Sequence, residues 1–332
     1  MITDARAVRP GFIPRDLHHR DAQITHLSSV LTHGFFGETA CVFGPSGAGK
    51  TTISKYVLSD LEREWLGMRW GYVNGMSDNS AAAALHRAVR ELGLGADLRR
   101  RGEPTSVAVD RIRECDDHLA IVLDEVSVID ERALLALNDL PDISLVCITI
   151  DGDDWYESLS EQAESRMRSA ETVRLEAYSQ SELVDILESR VSHGLLADRV
   201  SGAALSRMAA IADGDARRAI ALLRRAAQAV EQTDDEDELT IDTVERVVDD
   251  AETDIRERRI RSLGTHQRLL FSIIDERDGE SVSSETLHTE YEKRAADPKA
   301  RSTRRRYLKS LRRYNLIEAS GNGRGRVYRP QS

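Results

Sequence analysis

Apolar positions in the first half of the chain follow two alternating patterns. Short apolar runs at residues 39–43, 70–73, 119–123 and 143–150 read as buried strands. Between them, residues 51–64, 81–92, 107–115 and 132–137 carry apolar side chains at helical spacing. Strands that are apolar on both sides belong to sheets covered on both faces, so the alternation predicts βαβ units around a parallel sheet. From residue 179 the strand pattern stops. Residues 180–192, 203–211 and 216–231 read as successive helices, the run at 233–238 (TDDEDE) as a solvated acidic loop, and a further helix starts near Ile241. The remaining pattern predicts three helices, 265–276, 284–294 and 302–314. A hairpin of 316–319 and 326–329 follows around Ser320-Gly321-Asn322-Gly323. Three helices and a Gly-rich hairpin give the order of a winged helix-turn-helix.

Charge changes this picture. The chain of 332 residues has 46 basic and 57 acidic residues, a net of −11. Residues 251–332 nevertheless hold 19 basic and 12 acidic residues, a net of +7, which leaves −18 for residues 1–250. The C-terminal quarter is a basic module on an acidic body, and its charge points to nucleic acid. Only 5 of the basic residues are lysine, a usage that either a salt-loaded cytoplasm or a GC-rich genome produces. Aromatics at 5% predict aliphatic cores. The longest apolar runs fall short of the ~18–20 residues needed to span a bilayer, and the N-terminal segment lacks the apolar core of a secretory signal. Cys41, Cys115 and Cys147 have no metal-ligand spacing and are expected as buried thiols in a reducing cytoplasm.

The chemistry begins at Gly44-Pro45-Ser46-Gly47-Ala48-Gly49-Lys50-Thr51, which fits the phosphate-binding loop G-x-x-x-x-G-K-[ST] at every fixed position, after a strand and before a helix. In such a loop backbone N–H groups cradle a polyphosphate, Lys50 reaches the β- and γ-phosphates, and the Thr51 hydroxyl ligates Mg²⁺. Thr52 follows on the first helical turn. The apolar strand 119–123 runs into Asp124-Glu125, the carboxylate pair such a loop needs: Asp124 for Mg²⁺ and Glu125 to polarise an attacking water. Asp215 can cap the helix that follows Asp213-Gly214, which lets Arg217 point back at a γ-phosphate. Ten basic residues and one acid, Asp297, lie between Lys293 and Arg313. On a helix Arg305, Lys309 and Arg312 share one stripe, with Arg304 beside them, while Tyr307, Leu308 and Leu311 turn to the core. This is a recognition helix for the major groove, with Arg324, Arg326 and Arg329 on the wing for phosphates or the minor groove. Asn74 and Trp155 read as structural.

The order of phosphate loop, Asp-Glu strand, helical region with Gly214-Asp215-Ala216-Arg217-Arg218-Ala219-Ile220, and winged helix resembles the archaeal origin-recognition replication initiators of the AAA+ ATPase superfamily. The resemblance spans essentially the whole chain. It implies an α/β AAA+ P-loop domain over residues 1–175 with a parallel sheet. A helical lid domain over 176–250 and a winged-helix DNA-binding domain over 251–332 complete it. Pro14-Arg15-Asp16-Leu17-His18-His19-Arg20 is similar to the family's opening segment along the adenine, which implies nucleotide contacts by Pro14, Leu17 and Arg20. Residues 169–173 and Tyr178 resemble the approach to the lid, and Arg217 the second sensor. Arg166 and Arg168 are the candidates for the trans-acting arginine. The strand at 145–150 ends in Ile148-Thr149-Ile150-Asp151 without the family's first-sensor Asn, which implies slow hydrolysis. ATP or ADP with Mg²⁺, duplex origin DNA, the replicative helicase and a second copy or paralogue are the ligands and partners implied, in the cytoplasm at the nucleoid. The same parts also suit an ATP-gated transcription regulator or a plasmid replication or maintenance ATPase. A clamp-loader-like machine fits less well, because of the winged helix.

Overall fold

The computed structural model describes residues 1–9, 11–14, 17–32, 37–95, 104–233, 237–277 and 279–331, and for Arg324 the backbone alone. Strands β1 (Thr39–Phe43), β2 (Met68–Asn74), β3 (His118–Asp124), β4 (Ile143–Thr149) and β5 (Glu171–Arg174) form one sheet in the order β2-β3-β4-β1-β5. Each pairing in it is parallel. Alternate residues of β3 feed two cores, which is why its sequence is apolar throughout. Leu119, Ile121 and Leu123 pack with α3 (Ala81–Glu91), α4 (Thr105–Arg113) and α5 (Glu131–Asn138). Ala120 and Val122 pack with α1 (Asp21–Thr32) and α2 (Lys50–Glu64) on the other face. The strand pattern alone did not reveal β5, which buries only Val173 at the sheet edge. Short helices α6 (Gly152–Tyr156) and α7 (Glu161–Arg168) connect β4 to β5.

Helices α8 (Gln180–Gly194), α9 (Gly202–Ala212), α10 (Ala216–Gln232) and α11 (Ile241–Arg246) build a separate helical core. A Ser179–Glu182 capping box starts α8, and the Asp215 carboxylate caps α10. The helix expected from Ile241 breaks at Val247 and continues as α12 (Val248–Ser262). Arg218 pairs with Glu252, and Arg224 and Arg225 with Asp254, strapping α12 along α10. The acidic loop at 233–238 lies partly outside the described residues.

The C-terminal module comprises α13 (Thr265–Asp275), β6 (Val282–Ser283), α14 (Ser284–Arg294), α15 (Arg301–Arg313), β7 (Ile317–Ser320) and β8 (Val327–Pro330). Its strands form an antiparallel sheet in the order β6-β8-β7, so three helices and a β-hairpin make a winged helix. Met76, just after β2, and Val128, just after β3, are buried in this module's core beside Leu270, Tyr307 and Leu311. Cys41 and Cys147 are buried opposite each other in β1 and β4, Cys115 is partly exposed, and all three are free thiols. No helix among the described residues is long and apolar enough to cross a membrane.

Candidate functional site

A cleft of about 430 Å³, within the ~300–1,000 Å³ range of small-molecule sites, opens where the three parts meet. Its floor is the turn from β1 into α2. No side chain caps α2, so its first N–H groups face the loop, as an anion requires. Gly47 has φ +72°, and a Cβ there would lie 1.9 Å from an oxygen of Asp215. Glycine at this position therefore lets the loop and the lid touch. The contact is held by the Ser46 hydroxyl, which donates to Asp215 at 3.1 Å, and by the Ala216 N–H, which donates to the Gly47 carbonyl at 3.3 Å.

Lys50 is buried, and its ammonium donates to the carbonyls of Gly44 and Pro45 at 2.7 and 2.8 Å. Burial lowers its pKa, while Glu125 and Asp124 oppose the shift. The Thr51 hydroxyl and the Tyr72 hydroxyl both donate to the same oxygen of Asp124, each at 2.8 Å. Burial and the Asp124 charge push the Tyr72 phenol up, so it remains a donor. Glu125 stands next on the chain at φ +55°, a strained left-handed conformation for a residue with a Cβ. Gly75 accommodates this turn: a Cβ on it would lie 2.5 Å from the Glu125 carbonyl. Burial and the neighbouring Asp124 raise the Glu125 carboxyl to about 7. Thr52 and exposed Arg217 also line the cleft.

Apolar side chains also line the cleft: Ile13, Pro14 and Leu17 from the opening segment, Ile186 of α8 and Ile220 of α10. Arg20 is buried and donates to the carbonyls of Ala48 at 3.2 Å and Glu176 at 2.9 Å, with its guanidinium 3.7 Å over the Tyr178 ring. Arg20 and Tyr178 thus tie the opening segment, the loop and the lid approach together. Arg15 and Asp16 lie outside the described residues.

Where the sequence lacks the expected first-sensor Asn, the cleft is lined by Ile150, just after β4. Asp151 instead caps α6 by accepting from the Asp154 N–H at 3.0 Å, and the buried Thr149 hydroxyl has no partner. Arg166 pairs with Asp139, and Arg168 with Glu164 at 2.7 Å; neither lines the cleft.

Several lining residues carried no signal in the sequence. Ile255, Arg258, Arg259 and Ser262 of α12 close one end of the cleft together with Tyr314, which follows α15. An Arg259 N–H donates to the Tyr314 carbonyl at 3.0 Å.

On α15, Arg305 and Arg312 are exposed. Lys309 is half-exposed and pairs with Asp154 at 2.8 Å, joined there by Arg313. Arg304 corrects the expectation of a DNA contact. It is 5% exposed, donates to the His288 carbonyl at 3.2 Å and to Glu292 at 2.6 Å, and lies 5.2 Å over the Tyr291 ring. Its position three and four residues before Tyr307 and Leu308 puts it on the buried stripe. On the wing Arg326 is partly exposed, Arg329 pairs with Glu318 at 2.6 Å, and the Arg324 side chain lies outside the described residues.

Residues 38–159 match the AAA domain family, and residues 184–249 match the Cdc6 AAA+ ATPase-type lid domain. ORC1-type DNA replication protein 9 of Halobacterium salinarum is 35% identical over 99% of this chain and 93% of its own length. The chain belongs to the ORC1-type DNA replication proteins. A second member of this family from the same organism, ORC1-type DNA replication protein 1, is 38% identical over 91% of this chain and 98% of its own length. Among solved structures, that of the Aeropyrum pernix ORC1 protein in complex with DNA shares the fold, with a TM-score of 0.71 at 23% identity, covering 100% of this chain and 94% of that one. Cdc6p from Pyrobaculum aerophilum has a TM-score of 0.66 at 21% identity and coverages of 100% and 95%. As an ORC1-type protein with an AAA domain and a Cdc6-type lid, the chain is an AAA+ ATPase.

Proposed function

We propose that this ORC1-type protein is an ATP-dependent, duplex-DNA-binding replication initiator that recognises an origin and helps to recruit the replicative helicase. The observation that carries the reading is the cleft itself: one cavity is walled by the phosphate loop, the lid and the helix leading into the winged helix. Nucleotide and DNA modules joined at one cavity suit a nucleotide-gated DNA binder. The named relatives, ORC1-type DNA replication proteins, and a structural neighbour described in complex with DNA support the role.

In this reading the loop N–H groups and Lys50 take the polyphosphate, and the apolar wall of Pro14 and Leu17 takes the adenine. Thr51 and Asp124 fit Mg²⁺, because two hydroxyls already converge on one Asp124 oxygen, an all-oxygen donor set suited to a hard cation. Bound there, Mg²⁺ would neutralise charge on the β- and γ-phosphate oxygens. Glu125 accepts a hydrogen bond from the attacking water, and Arg217 steadies the charge that develops on the γ-phosphate. With Ile150 at the first-sensor position, hydrolysis is slow. Arg305, Arg312 and Arg326 meet phosphates, which position the protein on DNA. The protein works in the cytoplasm at the nucleoid, alone or beside a second copy or paralogue.

Genome-wide mapping of the bound protein tests the role. Peaks at replication starts are expected, and peaks confined to promoters would overturn it in favour of a transcription regulator.

A further inference from the structure

The helix proposed to meet DNA also packs against the turn that follows Glu125. Helix α15 lies along the ATPase domain through a row of contacts: the Tyr307 hydroxyl donates to Asn79 at 3.0 Å, Ser310 to the Met76 sulfur at 3.3 Å, and Lys309 and Arg313 pair with Asp154. The row ends at Tyr314. This residue is 8% exposed, its carbonyl is held by Arg259, it lines the nucleotide cleft together with Glu125, and its buried hydroxyl has no hydrogen-bond partner. A buried hydroxyl left unpaired is costly, so the phenol gains by donating to an acceptor that lines the same cleft, the Glu125 carboxylate. A carboxylate oxygen that accepts from a phenol is not free to accept from a water.

We propose that Tyr314 is a positioning residue that restrains Glu125 while the winged helix is docked, and that duplex DNA releases it by competing for Lys309 and Arg313. The inference rests on the proposed function, in which Glu125 orients the attacking water and α15 meets DNA. Phosphates and Asp154 seek the same two cations, so α15 cannot satisfy both fully. DNA that draws this helix outward withdraws Tyr314 with it. Coupling of this kind is reciprocal: whatever holds the winged helix down also weakens its hold on DNA.

The test measures steady-state ATP hydrolysis by the full chain, with and without a random-sequence duplex, for wild type, Tyr314→Phe, Asp154→Ala and Glu125→Gln. Tyr314→Phe should raise kcat at least threefold at unchanged KM for ATP, a split that a general loosening of the cleft would not give. Asp154→Ala, which frees Lys309 and Arg313 from the other side, should raise kcat in the same direction and tighten DNA binding. Duplex should stimulate wild type at least threefold and Tyr314→Phe not at all. An unchanged or reduced kcat in both Tyr314→Phe and Asp154→Ala overturns the restraint, as does equal stimulation of wild type and Tyr314→Phe by DNA. Turnover that is equal in wild type and Glu125→Gln would remove the assigned role of Glu125 and the restraint with it. Turnover that depends on Glu125 but ignores Tyr314 and Asp154 would remove the restraint alone.

Discussion

Replacing surface and buried arginines of α15 separates charge that meets DNA from charge that builds the module. Arg305 and Arg312 are exposed on one stripe, whereas Arg304 is bonded to the His288 carbonyl and Glu292 beneath the surface. Each phosphate neutralised contributes about 0.9 to the slope of log affinity against log salt. The double variant Arg305→Gln/Arg312→Gln should therefore flatten the slope by about 1.8. Between about 50 and 200 mM salt, wild type should lose roughly tenfold more affinity than this variant. Arg304→Ala should leave the slope unaltered. Its cost falls on stability, about 2 kcal/mol for the lost buried hydrogen bonds and the packing of its stem on Tyr291. Fluorescence anisotropy with the full chain over a salt series gives the slopes, and urea denaturation gives the stability. A folded Arg304→Ala variant whose slope flattens by a full unit, or an unchanged slope in the double variant, would refute the division.

Lys50→Ala should abolish nucleotide binding by calorimetry, and Glu125→Gln should bind ATP normally but lose turnover, since Asp124 is left in place. Asp215→Ala removes the acceptor for the N–H groups of Arg217 and Arg218 and for Ser46. Loss of this cap, worth about 1 kcal/mol, should weaken ATP affinity by roughly fivefold, again read by calorimetry. His288 is buried and held down at about 4, first by desolvation and then by Arg304 and Arg301, against an ordinary 6.5. Between these values the unfolded chain binds the proton and the folded chain does not. The stabilisation is therefore complete above pH 6.5 and fades toward pH 4, by about 2 kcal/mol after allowance for solvent screening. Urea denaturation at several pH values should show this slope in wild type, and His288→Gln should flatten it.

The phosphate loop was legible because its function is a backbone conformation, and the glycines that permit it have few substitutes. Strands β1, β3 and β4 were legible because both of their faces are covered. The nucleotide contacts expected of Pro14, Leu17, Arg20, Tyr178 and Arg217 came from family resemblance, and these residues all line the cleft, Arg20 bonding the loop carbonyl of Ala48. Arg304 was misplaced because a run of arginines masks the helical period; counting back from Leu308 and Leu311 puts it on the inner stripe. Tyr72, Arg259 and Tyr314 were invisible. Each reaches the site through tertiary contact across long stretches of chain, and a lone tyrosine or arginine carries no local pattern.

The burial of Met76 and Val128 within the winged-helix core has a consequence for how such proteins can be taken apart or recombined. The C-terminal module does not end at its own chain boundary, since two of its interior side chains arrive from loops at the tips of ATPase strands. Cut free, it would present a bare apolar seat to water, and its unfolding in the intact chain would strip cover from the loops that carry Met76 and Val128. Heating should therefore melt the two as a cooperative unit. A graft of the module onto another ATPase would need those two loops to travel with it.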